Sequence, residues 1–203
     1  KIFHFVRTNR LAQKFASRFV AGETVLTAVE AAREINKKGI TASLDLLGES
    51  ITQEAEAVAA RDEYLRMLDR IAEAGVNANV SLKLTQMGLD ISQDLCFANL
   101  SLILDQAMRL DSFVRLDMEG SAYTQRTLDF FGNRLHDRYR QFTGVVIQSC
   151  LRRSEKDIDR LIEMKARVRL CKGAYLEPAD VAYPDKADVD RAYLRCMERL
   201  MER

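Results

Sequence analysis

The chain has 203 residues, 47% hydrophobic and 30% charged, a globular composition with room for one sizeable core. Its 31 basic and 30 acidic residues are spread evenly and leave a net charge of +1. That balance excludes the basic footprint of a nucleic-acid binder and the polybasic tail of a membrane-surface protein. No apolar run reaches the length of a membrane span, and no signal-peptide pattern is visible in these residues. Cys96, Cys150, Cys171 and Cys196 are far apart, with only His4 and His136 to join them, so no metal site is expected. Read as free thiols, they indicate a reducing, cytoplasmic compartment. The first residue is Lys1 rather than Met, so further residues are expected upstream.

In chain order, Thr8 to Val20 carries Ala12, Phe15, Ala16 and Phe19 at helical spacing. A second helix is expected from Thr24, with Val25, Ala28, Val29, Ala32 and Ile35 on one face and Gly39 as its stop. These helices occupy residues 1–39. From Thr41 short alternating runs take turns with amphipathic helices. The runs are Thr41–Leu46, Val80–Thr85, Phe113–Glu119, Gly144–Cys150 and Arg167–Lys172.

Ser50 and Gln53 have capping-box spacing ahead of a helix that Gly75 ends. Asp94 is placed to cap the next, which presents Leu100, Ile103, Leu104 and Ala107. Leu128, Phe131, Leu135 and Tyr139 mark a further face, and Ser154 opens a helix bearing Ile158, Leu161 and Ile162. Pro178 and Pro184 fall in a loop over 177–186, before a last helix with Val189, Tyr193, Met197, Leu200 and Met201 on one face. Met108, Met164, Met197 and Met201 read as helix packing.

Strands alternating with helices imply βαβ units and a parallel sheet. In a doubly wound sheet both faces are covered, and strands read as continuous apolar runs. These strands alternate instead. Ala42, Leu44 and Leu46, Val80, Leu82 and Leu84, Val114, Leu116 and Met118, Val145 and Ile147, Val168 and Leu170 lie on one face. Ser43 and Asp45, Ser81 and Lys83, Arg115, Asp117 and Glu119, Gln148, Arg167 and Arg169 lie on the other. Apolar outward and polar inward fits a (β/α)8 barrel with a site at the C-terminal ends of its strands. About five strands are present, so the chain is expected to be a single incomplete barrel domain over 1–203, with strands six to eight outside it.

The inward charges could neutralise one another as a structural network, or they could serve a site. Lys83 suits a salt bridge, a carboxylate ligand or a Schiff-base nucleophile. Arg169 could aim donors at an electron-rich ring or a carboxylate. Gln148 suits the edge of a heterocycle or plain polar filling. Gly173 and Ala174, after Lys172, permit close approach of a ligand or make an ordinary turn, and Tyr175 caps a pocket or packs in the loop. Cys150 and Cys171 face inward as filler or wall, with no nearby histidine to activate them.

Five segments stand in order, each at its own strand end: Ser43-Leu44-Asp45-Leu46-Leu47-Gly48-Glu49, Ser81-Leu82-Lys83-Leu84-Thr85-Gln86, Leu116-Asp117-Met118-Glu119, Val146-Ile147-Gln148-Ser149, and Val168-Arg169-Leu170-Cys171-Lys172-Gly173-Ala174-Tyr175. Together they resemble the proline dehydrogenase family in its short, single-activity bacterial form. The resemblance implies a barrel that binds FAD without a covalent link. It implies oxidation of L-proline to Δ1-pyrroline-5-carboxylate by hydride transfer to flavin N5, the first step of proline catabolism.

By the same resemblance Lys83 holds the substrate carboxylate, Asp117 sits by the substrate, and Tyr175 walls the proline pocket. Arg169 reaches N5 and Gln148 bonds the pyrimidine edge, while Met118, Cys171, Gly173 and Ala174 line the ring. The family's electron acceptor is a quinone, which would bring a cytoplasmic protein to the inner face of the membrane, and pyrroline-5-carboxylate dehydrogenase is a further partner. Two features depart from the pattern. Cys171 stands where an aliphatic residue is expected, and the paired arginines of the eighth helix have no counterpart before Arg203, so a protein ending there is expected to be inactive and poorly folded. A lysine-dependent barrel aldolase acting through Lys83 and a non-catalytic binding module are the rival readings.

Overall fold

The computed structural model describes Gly22 and residues 24–202; the helix expected over Thr8 to Val20 lies outside them. Helix α1 (Val25–Asn36) opens on a capping box, in which the Thr27 amide donates to Thr24 Oγ1 and the Thr24 amide donates to Thr27 Oγ1. Gly39, at φ 74°, turns the chain out of this region.

Five parallel strands follow: β1 (Ala42–Asp45), β2 (Ala78–Leu82), β3 (Val114–Leu116), β4 (Thr143–Gln148) and β5 (Arg167–Cys171). They are connected by α2 (Glu54–Ala74), α3 (Gln93–Arg109), the pair α4 (Ser121–Phe130) and α5 (His136–Tyr139) joined by a π-helical turn, and α6 (Ser154–Glu163). Helix α7 (Lys186–Met201) follows β5. Each strand pairs with the next in chain order. A doubly wound sheet reverses its order at a switch point. This sheet never reverses, and it has the winding of five strands of a (β/α)8 barrel.

The two faces divide as alternation predicts. Val80, Leu82, Val114, Leu116 and Val145 are fully buried beneath the helices, against Leu68, Leu100, Ile103, Leu104 and Leu135. Asp45, Ser81, Arg115, Gly144 and Arg167 form one register row across all the strands on the other face. The row above brings Val146 beside Arg169.

Several local expectations need correction. Every strand ends earlier than its alternating run; β3 stops at Leu116, and beyond it the period of two lapses. Ser50 caps no helix. It sits at φ 57°, whereas an N-cap needs extended backbone, and Gln53 precedes α2 with no side-chain cap bond. Asp94 lies in the first turn of α3, and the cap is Ser92, which accepts from the amides of Asp94 and Leu95. Gly75 does end α2 as expected, in the left-handed conformation at φ 61°.

Leu128, Phe131, Leu135 and Tyr139 are buried together, but the π-helical turn Phe131–Leu135 interrupts their helix. Helix α7 buries Ala192 and Cys196 rather than Met201, which is 77% exposed. Met108 is also exposed, while Met164 packs against the core. No helix among the described residues is long and apolar enough to cross a membrane.

Gly144 sits where a side chain has no space. A Cβ there would lie 2.2 Å from the Arg167 carbonyl oxygen and 2.6 Å from Arg115 Nη1. The gap lets the Arg115 guanidinium cross β4 and donate to the carbonyls of Arg167 and Val145, at 3.0 and 3.3 Å. Gly144→Ala is expected to destabilise the fold by about 1–3 kcal/mol through overpacking. Urea unfolding checks this, and an unchanged midpoint would contradict it.

Candidate active site

A cavity of about 420 Å³ opens at the C-terminal ends of the strands. Lys83, Asp117, Met118, Gln148, Arg169, Cys171, Gly173, Ala174 and Tyr175 all line it, with Val146 and Lys172. A larger cavity, about 510 Å³, lies at the opposite end around Asn77, Asn79 and Phe113. Barrels keep chemistry at the C-terminal end and use the other for stability. Arg115 and Arg167 stack on Phe113, 4.6 and 4.3 Å from the ring centroid, so these inward charges belong to the floor. Burial, then the charges of Arg169 and Arg167, lower the Arg115 pKa to about 10.

Arg169 crosses the lumen from β5. Its Nη2 donates to Ser43 Oγ of β1 at 3.1 Å, and its Nη1 donates to Ser81 Oγ of β2 and to Asp117 Oδ1 after β3, each at 3.3 Å. Burial pushes the Asp117 carboxyl above its ordinary range, against the opposing pull of the Ser81 hydroxyl and Arg169. Beside it, Lys83 Nζ lies 3.1 Å from Asp45 Oδ2. The inward charges therefore pair in part, as a structural network would, while still facing a cavity.

Glu119 is buried behind the wall and accepts from the Thr85 amide at 3.2 Å and the Thr85 hydroxyl at 2.5 Å. Burial raises its pKa too. Its carbonyl accepts from Gln148 Nε2 at 2.9 Å, which fixes the amide and leaves Oε1 and a second N–H for another partner. Met118 turns into this wall because the strand has already ended. With Val146 it supplies apolar surface next to the Gln148 amide and the Arg169 cation. Such a surface suits a flat heterocycle with a polar edge, and Lys83 suits a carboxylate.

Gly173 has φ 104°, and a Cβ on it would lie 2.4 Å from Cys150 Sγ and 3.2 Å from Gln148 Oε1. Its backbone thus packs onto β4 at the point where a side chain would intrude. Cys150 is not part of the cavity wall: β4 has ended at Gln148, and the thiol sits behind Gly173. Burial pushes both the Cys150 and Cys171 thiols up, which suits inert wall rather than nucleophile.

The loop after β5 is tied on two sides. The Tyr175 hydroxyl donates to Glu49 Oε2 at 3.1 Å, and burial followed by Glu49 raises that phenol to about 12. Glu177 accepts from the Ser121 amide at 2.7 Å and from its hydroxyl, at the N-terminus of α4.

Sequence reasoning passed over Tyr64, Thr85, Glu49 and Glu177. Tyr64 lies on the buried face of α2 with Ala57, Ala60, Leu68 and Ile71, so its spacing reads as core. The available signal was a hydroxyl at a buried position, which requires a partner.

Asp117 and Glu119 give the stability a pH dependence. A carboxyl with a raised native pKa binds its proton more tightly folded than unfolded, so its ionised form weakens the fold above that value. The penalty is relieved as pH falls towards the ordinary range. In the double variant Asp117→Asn/Glu119→Gln, the change in urea midpoint from neutral pH to about pH 4.5 is expected to lose this favourable contribution. An identical pH profile in the variant would contradict the burial of both groups.

Comparison with known proteins agrees with this geometry. Residues 28–203 match the profile of the family described as proline dehydrogenase. Proline dehydrogenase 1 of Bacillus subtilis is 37% identical over 93% of this chain, and proline dehydrogenase of Deinococcus radiodurans 38% identical over 89%. The chain spans 65% and 59% of those relatives' lengths. A solved structure of proline utilization A from Bdellovibrio bacteriovorus, inactivated by N-propargylglycine, superposes with a TM-score of 0.85 at 26% identity. It covers 94% of this chain and 24% of that one. With its strand order, its lumen charges and these matches, the chain belongs to the proline dehydrogenase family.

Proposed function

We propose that the protein carrying this chain catalyses FAD-dependent oxidation of L-proline to Δ1-pyrroline-5-carboxylate. The observation that carries the reading is the placing of Arg169, Gln148 and Lys83 on one cavity, with Arg169 stitched to Ser43, Ser81 and Asp117. The residues present fit the isoalloxazine ring. Met118 and Val146 offer apolar contact, Gln148 retains free donor and acceptor capacity, and Gly173, packed onto β4, lines the cavity with backbone alone.

Bound there, FAD supplies the hydride acceptor, N5. Arg169 would hold its cation against N5, where electron density grows, and its bonds to three strands preorganise it for that task. Gln148 would bond the pyrimidine edge, and Met118, Cys171, Gly173 and Ala174 would line the ring. Lys83 would take the proline carboxylate, while Asp117 presents an anionic edge to the amine. Tyr175 would wall the substrate pocket. The electrons would pass to a quinone, which brings the protein to the inner membrane face, and the product to a pyrroline-5-carboxylate dehydrogenase.

An absorbance spectrum of the full-length protein, before and after L-proline without oxygen, tests the reading. An oxidised-flavin spectrum that bleaches with proline is expected. A colourless protein that does not take up FAD would overturn it, and trapping of a carbonyl compound on Lys83 by borohydride would then favour an aldolase. In Arg169→Ala the rate of bleaching is expected to fall about 100-fold or more. In Lys83→Ala the proline KM is expected to rise about tenfold or more, for loss of a charge-assisted contact.

A further inference from the structure

Behind the cavity, the Tyr64 hydroxyl lies where β1 and β2 end. Its ring is fully buried in the core. The hydroxyl accepts from the Leu46 amide at 3.1 Å and lies 3.0 Å from Asp45 Oδ1, 3.0 Å from the Ser81 carbonyl oxygen and 3.1 Å from Gln86 Oε1. A phenol has one proton to give. Of these acceptors only Asp45 carries charge, and a charge-assisted bond is the strongest on offer. Burial, then the Asp45 charge, push the Tyr64 pKa up, so the hydroxyl remains a donor.

Asp45 is thereby held at both oxygens: Oδ1 by Tyr64, and Oδ2 by Lys83 at 3.1 Å. The carboxylate is partly solvent-facing, with a side-chain exposure of 36%, and its own strand offers it no other anchor among these bonds. We infer that Tyr64 is a positioning residue for substrate binding, acting through Asp45 to fix the Lys83 ammonium where it meets a carboxylate. With the hydroxyl gone, Asp45 is free to rotate and the ammonium follows it. The inference rests on the reading that Lys83 takes a substrate carboxylate.

The test separates the two. Cyclopentanecarboxylate keeps the ring and carboxylate of proline and lacks the amine, so it binds without reacting. Its Kd is measured by calorimetry on the FAD-loaded full-length protein and on Tyr64→Phe, Asp45→Ala and the double variant, with flavin content checked in each. Tyr64→Phe is expected to weaken binding about fivefold or more, as for loss of one hydrogen bond to a charged group. Asp45→Ala weakens it likewise, and Tyr64→Phe adds less than about twofold in the Asp45→Ala background, because the effect runs through Asp45. With proline the change appears in KM and leaves kcat within about twofold.

An unchanged Kd in Tyr64→Phe, or an equal loss with and without Asp45, overturns the inference. Should Tyr64→Phe fail to fold, an unchanged Kd in Asp45→Ala overturns it alone. A wild-type protein that binds cyclopentanecarboxylate, with the expected coupling, but does not bleach with proline keeps the role of Tyr64 and removes the proline reaction instead.

Discussion

Arg169 has more donors than its own strand can satisfy, and the geometry of this site follows from where they go. Ser43 and Ser81 lie on β1 and β2 and Asp117 just past β3, three successive strands, and one guanidinium gathers them. A planar fork bonded on several sides cannot pivot without breaking several bonds at once, so the cation is fixed before any ligand arrives. Partly buried charges are costly unless paired, and Asp117 supplies the pairing while itself being pushed towards neutrality by burial. The site is therefore held under electrostatic tension, with the carboxylate tolerated because the arginine stands beside it.

The sheet makes this convergence possible. Parallel pairing in chain order keeps every polar side chain of one register row on the inner face, while the outer face carries Val80, Leu82, Val114, Leu116 and Val145. Room for the charges comes from a residue that has no side chain. Gly144 lets Arg115 cross to the Arg167 carbonyl, which separates the floor cations from those at the mouth. The arginines at the floor are stacked on Phe113, and the cavity above is left to Lys83 and Arg169.

Much of this was legible in the residues. Alternation revealed the barrel because helices cover only one face of the sheet, so Leu82 and Lys83 differ in kind as they differ in direction. Lys83, Gln148 and Arg169 could be singled out because they stand on the polar face near strand ends, whereas Met118 entered only through the family resemblance. What alternation cannot show is where a strand stops: Met118 and Cys150 lie past the ends of β3 and β4, and there periodicity no longer dictates direction. Ser50 failed as a cap because its left-handed backbone is set by a long-range bond from its amide to Thr85 Oγ1 at 2.9 Å. Tyr64 was hidden for a different reason. An aromatic at core spacing satisfies the hydrophobic pattern completely, and its hydroxyl leaves no trace in periodicity.

The tie between Glu177 and Ser121 has a consequence for how such barrels can change. The loop carrying Gly173, Ala174 and Tyr175 is commonly thought of as a replaceable module, yet its far side supplies the charged cap of a helix two units earlier. Transplanting that loop into another barrel would leave the start of α4 uncapped in the donor and give the recipient an acid with no amide to meet. Ser121 and Glu177 thus work as a pair: a change in the loop at the mouth of the site is felt at the entrance of a helix outside the cavity lining.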